Sequence, residues 1–180
     1  MPPPRLAPGI ALPPYAYVSG HFPHPVRDPR GHRHGESDEV YGPPPGNAEP
    51  GGASVYLHVL DLFNCGYYWE AHEALEKWWK EVDGDDPRHP FFHGLLRLSA
   101  AGVKAREGRP AGVRTHAARA AELLRMAALR LGGDDPCLLG LRLRPLAEAA
   151  DALALRAASF RAARPMPAVD AVLGIRLLPA

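Results

Sequence analysis

Proline is distributed very unevenly along the chain: residues 1–52 hold 13 of the 21 prolines and 8 of the 18 glycines. Proline lacks a backbone N–H and fixes φ, so no regular helix or central strand persists through such a segment. The N-terminal third is therefore an extended arm, and any packed core must be built from residues 53–180. Within the arm, Leu12, Tyr15, Tyr17, Val18 and Phe22 are expected to pin the first half onto a folded body. Pro29 to Gly52 are poorer in apolar groups and are expected to be looser.

From Ser54 the pattern turns helical. Tyr56, Leu57, Leu60 and Phe63 recur at helical spacing behind Ser54, a residue suited to an N-cap, and the helix should reach Asn64. Asn64-Cys65-Gly66 breaks it, and a second helix follows over about 67–82. Gly84-Asp85-Asp86-Pro87 ends that hairpin. A third helix is expected over about 90–106, stopped by Gly108, and a fourth over about 111–131, started by Pro110. Asp135-Pro136 is expected to start a fifth over about 138–164, interrupted at Pro145. The tail from Pro165 is expected to lie extended on the bundle. The fold class is thus all-α: a bundle of four to five helices with a Pro/Gly-rich arm. A chain of 180 residues with 46% hydrophobic content supports one such core.

With no apolar run of about 18 residues, no membrane span is expected. Met-Pro-Pro-Pro-Arg does not read as a secretory leader, and Cys65 and Cys137 form no metal or redox motif. These features fit two reduced thiols in a cytoplasmic protein. The net charge of +1 hides an asymmetry: residues 51–90 carry 8 acidic and 3 basic side chains, residues 91–180 carry 14 basic and 7 acidic. Internal pairing, self-association or an anionic partner would each use it.

A helical wheel of the second helix places Leu75, Ala71, Val82, Tyr68 and Trp78 on a buried stripe. Glu70, Lys77, Glu73 and Lys80 are expected to face water. His72, Glu76 and Trp79 fall on the border, with His72 and Glu76 one turn apart. On the third helix His93, Arg97 and Lys104 form a polar stripe. On the fourth, His116 borders the stripe of Val113, Ala117, Ala120, Leu124 and Leu131.

The run Phe63-Asn64-x-Gly66-x-Tyr68-x-Glu70-Ala71-His72-Glu73-x-x-Glu76-x-x-Trp79 closely resembles the signature of domain-of-unknown-function family 309. Phe91-Phe92-His93-Gly94-Leu95-Leu96 is similar to that family's third helix start, and Gly108 with Ala111-Gly112-Val113 to its next junction. The resemblance covers roughly residues 54–131. Arg97 departs from it, standing where a glutamine is expected. The resemblance implies a compact helical bundle and a site location, but no substrate.

Two chemistries suit His72, Glu73 and Glu76. An imidazole and a carboxylate one turn apart can grip a divalent metal, here His72 and Glu76, with His116, His93 or an arm histidine as a third ligand. The ferritin-like pattern fails, because it needs Glu-x-x-His and this helix has Trp69-x-x-His72. Alternatively His72 is a general base oriented by Glu76 or Glu73. The competing structural reading is a His72–Glu76 hydrogen bond that orients the hairpin against Asn64 or Arg97. Asn64, Tyr68, Trp69, Trp79, His93, Arg97 and His116 are the candidate walls of a pocket for a small ligand.

The arm's His21, His24, His32 and His34 are irregularly spaced for a metal tract. A sharper expectation is that Pro23-His24-Pro25 folds over the His72 border. Lys104, Arg106, Arg109, Arg114, Arg119, Arg125 and Arg130 lack interleaved aromatics, so nucleic acid is not an expected partner. The expected partners are a metal ion or small ligand. The alternative is a non-enzymatic interaction module that binds itself or an anionic partner.

Overall fold

The computed structural model describes residues 4–46, 54–160 and 171–179. Five α-helices dominate: α1 (Ser54–Asn64), α2 (Tyr68–Glu81), α3 (Arg88–Arg106), α4 (Pro110–Leu131) and α5 (Leu143–Leu155). The fold is all-α. α3 lies at the centre, packed on α2 and α4; α5 covers α4, and α1 leans on α2. The expected junction at residues 52–53 and the stretch 161–170 lie outside the described residues.

The first junctions follow from local chemistry. At the end of α1, Gly66 has φ +86°, a left-handed conformation that costs glycine little. Its N–H bonds Phe63 O at 3.0 Å and the next N–H, of Tyr67, bonds Leu62 O at 2.7 Å. That paired closure satisfies two orphan carbonyls of the last turn. The α3–α4 junction repeats it at Gly108, where Arg109 N bonds Lys104 O at 2.9 Å, and Pro110 then opens α4.

The core joins the aromatic side chains of α1–α3 to a small-residue α3–α4 seam. Trp78, Tyr56, Tyr68, Phe63, Phe91 and Phe92 are fully buried. Gly102 lets α3 approach α2: a Cβ there would lie 2.3 Å from Cγ of the Tyr68 ring. Ala117, Ala120, Ala121 and Ala127 of α4 are fully buried, so α4 sits close to its neighbours.

The fifth helix departs from expectation. Cys137–Leu138 (β1) and Leu141–Arg142 (β2) pair as a minimal antiparallel hairpin, and α5 starts only at Leu143. Both central residues of the turn have positive φ, Leu139 at +48° and Gly140 at +80°, the geometry that suits a two-residue hairpin turn. The hairpin closes when Leu143 N donates to Pro136 O at 2.9 Å. Asp135 therefore caps no helix. Pro145 does not interrupt α5; it occupies the first turn, where a missing N–H leaves no bond unmade.

The arm is also more ordered than its composition suggests. Residues 4–46 contact α1, α2 and both ends of α3. Leu6 N and Ala7 N each donate to the buried Asp61 carboxylate at 2.8 Å, and Arg5 Nε reaches it at 3.3 Å. Tyr15 stacks on Phe22 with centroids 5.1 Å apart. Further along, Gly42 O accepts Lys77 Nζ at 2.8 Å and Pro45 O accepts Arg88 at 3.1 Å. The described part of Pro29–Gly52, residues 29–46, is thus packed: Arg33 is buried and donates to the hydroxyl of buried Tyr41 at 2.9 Å. Buried Tyr41 and Pro45, together with bonds from Arg33, Lys77 and Arg88, hold this part down.

The tail turns at Val172–Leu173, runs on without regular structure to residue 179, and is bound by three polar side chains, Asn64, Tyr68 and Arg156, the last donating to Leu173 O. Asn64 donates to Leu177 O at 2.8 Å and accepts Leu177 N at 2.7 Å. The Tyr68 hydroxyl accepts Leu173 N at 3.3 Å. No described helix is long and apolar enough to cross a membrane.

Candidate functional site

α2 presents His72, Glu73 and Glu76 on one half-buried flank. One donor atom from each lies within 4.8 Å of the other two. His72 Nδ1 is 3.6 Å from Glu73 Oε1, while Glu76 pairs with Lys80 at 2.8 Å. The His72–Glu76 hydrogen bond considered from the sequence is not formed. The exposed Lys80 competes for Glu76 one turn on, and adjacent Glu73 is the carboxylate nearer to His72. A shallow cavity of about 260 Å³ borders Glu73 and Glu76 and continues along Lys77, Lys80 and Glu81.

Beside this flank, α2, α3 and α4 bring four more side chains together. The Trp79 ring stacks on His93 at 4.3 Å between centroids. Arg97 Nε donates to His93 Nε2 at 3.2 Å, and its Nη1 lies 3.5 Å from His116 Nδ1. Burial pushes His93 down to about 4, helped by the positive charges of Arg97 and Arg119. His116 is lowered as well, first by burial and then by Arg97, Lys104 and His72. Both rings are therefore neutral at pH 7, with lone pairs available to the guanidinium. The influence of His72 on His116 joins this wall to the α2 flank.

Other candidate residues stand apart. Asn64 and Tyr68 are buried and occupied by the tail. Trp69 is covered by the arm, edge-on to Tyr17 at 5.2 Å and to His24 at 5.3 Å. His24 thus meets Trp69 and Tyr17, while its Nδ1 accepts Val26 N and Arg27 N, each at 3.3 Å. Lys104 turns to Glu107 at 2.7 Å. Cys65 is a buried free thiol, raised by desolvation and so poorly suited to nucleophilic attack.

Glu70 corrects the wheel. Expected to face water, it is 1% exposed, because the arm crosses that face of α2. Its Oε1 accepts Tyr17 N at 3.0 Å and lies 3.4 Å from His32 Nε2. Its Oε2 is buried without a hydrogen-bond partner. Buried Arg106 lies within electrostatic reach and reaches Ala16 O at 3.5 Å. The inward contacts of Glu70, His32, Arg106 and Asp61 are ones that sequence patterning did not reveal. Only Asp61 leaves a local trace, a carboxylate inside the apolar run Leu60-Asp61-Leu62-Phe63.

A larger cavity, about 450 Å³, lies between the start of α5 and the tail, lined by Leu141, Arg142, Leu146, Ile175 and Arg176 among others. Among the described residues that line it there is neither an imidazole nor a carboxylate. Size therefore points away from the α2 flank, but donor chemistry points to it, and chemistry is the better guide to a site.

No curated protein and no solved structure matches the chain. Residues 56–116, from α1 through the first third of α4, match the family model described as domain of unknown function (DUF309). That span includes the α2 flank and its wall. This stretch of the chain is similar to that family, and the His/Glu cluster lies inside the matched residues.

Proposed function

We propose that the chain binds a divalent metal ion through His72, Glu73 and Glu76. The observation that carries this reading is the convergence of one imidazole and two carboxylates to within 4.8 Å on one helix flank. Metal–ligand bonds to N and O are about 2.0–2.2 Å, so coordination needs the donors only to rotate inward. Glu76 must leave Lys80, an exposed i,i+4 pair worth only about 0.3–0.5 kcal/mol. A mixed N/O set suits zinc, manganese or cobalt. Three ligands from one stretch of helix leave coordination positions open for water or a small ligand.

Elemental analysis after dialysis against zinc or manganese, with His72→Ala and Glu76→Gln alongside, tests this. About one metal per chain in the wild type, lost in His72→Ala, is expected. Metal-free wild type, or equal loading of the variants, refutes it.

A second reading, an interaction module, draws on Leu129 and Leu155, which are 82% and 86% exposed. The charge asymmetry also supports it: the pairs Arg119–Glu122, Arg125–Asp151 and Arg142–Asp135 all lie within residues 91–180, so they leave the imbalance between that segment and residues 51–90 intact. Concentration-dependent sedimentation that Leu129→Lys abolishes would favour this reading; a monomer at all concentrations would remove self-association.

A further inference from the structure

Arg97 differs from several cations of α3 and α4. Lys104 and Arg109 pair with Glu107, Arg119 with Glu122 and Arg125 with Asp151. Arg97 has no carboxylate partner among the described residues; two imidazoles hold it instead. A half-buried guanidinium without a counter-charge is costly to maintain.

The hydrogen-bond inventory shows what remains available. A guanidinium has five N–H donors. Nε spends its one on His93 Nε2, and Nη1 directs one of its two at His116 Nδ1. One N–H on Nη1 and both on Nη2 are left. The Nη1–Nη2 edge is the fork that receives two oxygens of a carboxylate or phosphate side by side. The imidazoles come from α3 and α4, so the guanidinium plane is held by two helices before any ligand arrives. On the Trp79 ring, which stacks on His93, Nε1 is a donor shielded from water and without an acceptor. The wall is rich in donors and short of acceptors.

We propose that Arg97, held between His93 and His116, receives the oxyanion of a small phosphate- or carboxylate-bearing ligand. The anion subsite stands on Arg97 alone. The further statement, that such a ligand bridges the wall and a metal on α2, rests on the metal reading above.

The test is an NMR titration of the full, metal-stripped chain with inorganic phosphate and, separately, with malonate. Saturable shifts of the Arg97, His93 and His116 resonances are expected, and the anion that saturates at lower concentration identifies the headgroup. Arg97→Met should weaken that binding by about tenfold or more. Arg97→Lys keeps charge and fold but not the fork, and should weaken it measurably. No saturable shift with either anion, or equal affinity in Arg97→Lys and the wild type, overturns the proposal. Repeating the series with zinc separates the two claims. Anion binding without metal binding leaves this subsite standing and sinks the metal reading. Metal binding without anion binding does the reverse.

Discussion

Replacing Asp61 by alanine should uncouple the start of the arm from the bundle. The Asp61 carboxylate is 1% exposed and accepts two backbone N–H groups at 2.8 Å, from Leu6 and Ala7, with Arg5 at 3.3 Å. Hydrogen bonds to a charged group contribute about 1.5–3 kcal/mol each. The two short ones alone set an upper range of about 3–6 kcal/mol on that scale. The segment can relieve part of this by peeling into water, giving up the burial of Ala7 instead. The net expectation is a loss of about 2–4 kcal/mol, or about 5–15 °C in melting temperature for a chain of this size. Asp61→Asn should fall between, since one amide oxygen replaces two carboxylate oxygens and its NH2 meets a donor. Urea unfolding gives the free energy, and hydrogen exchange at Leu6 and Ala7 locates the change. A loss below about 0.5 kcal/mol, with both amides still protected, would show that the carboxylate does not hold the arm.

Stability should also fall with acidification through the α3 wall. Folded His93 sits at about 4 against an ordinary 6.5, so the unfolded chain takes up a proton first. Its contribution is complete above pH 6.5 and is lost as the pH falls from there toward 4. His93→Gln keeps an acceptor for Arg97 and should flatten that slope in urea midpoints measured at pH 7.5 and 5; an unchanged slope would remove His93 as its source. Asn64→Ala leaves the buried Leu177 N–H and C=O unpaired and should cost about 2–4 kcal/mol, read by calorimetry. A cost under about 1 kcal/mol would mean that the tail is held by Leu173, Ile175 and Leu177 packing instead.

The three junctions that the sequence predicts well are those written in neighbouring residues. Gly66, Gly108 and Pro110 act within one turn of where they stand, so α1 to α4 are legible to within a few residues. The 137–142 hairpin is not, because Leu138-Leu139-Gly140-Leu141 has the composition of a buried helix and its turn depends on an unusual leucine conformation. The packed arm is not legible either. Its partners, Asp61 and Glu70, lie 38 to 56 residues away, and Glu70 on a wheel is simply a carboxylate on a polar face. The same divide runs through the candidate site. The spacing of His93 and Arg97 already puts them together on one helix, whereas the approach of His116 and the stacking of Trp79 depend on how three helices pack.

The clamp of Asn64 on Leu177 joins residues 113 positions apart, and Tyr68 on Leu173 spans 105. During synthesis α1 and α2 leave the ribosome long before these partners exist. Until then, two buried polar groups at the hairpin's heart must stay hydrated, which holds the hairpin partly open. A nascent chain stopped after α4 should therefore keep this region vulnerable to proteases, and completion of the tail should act as the latch that makes the domain resistant.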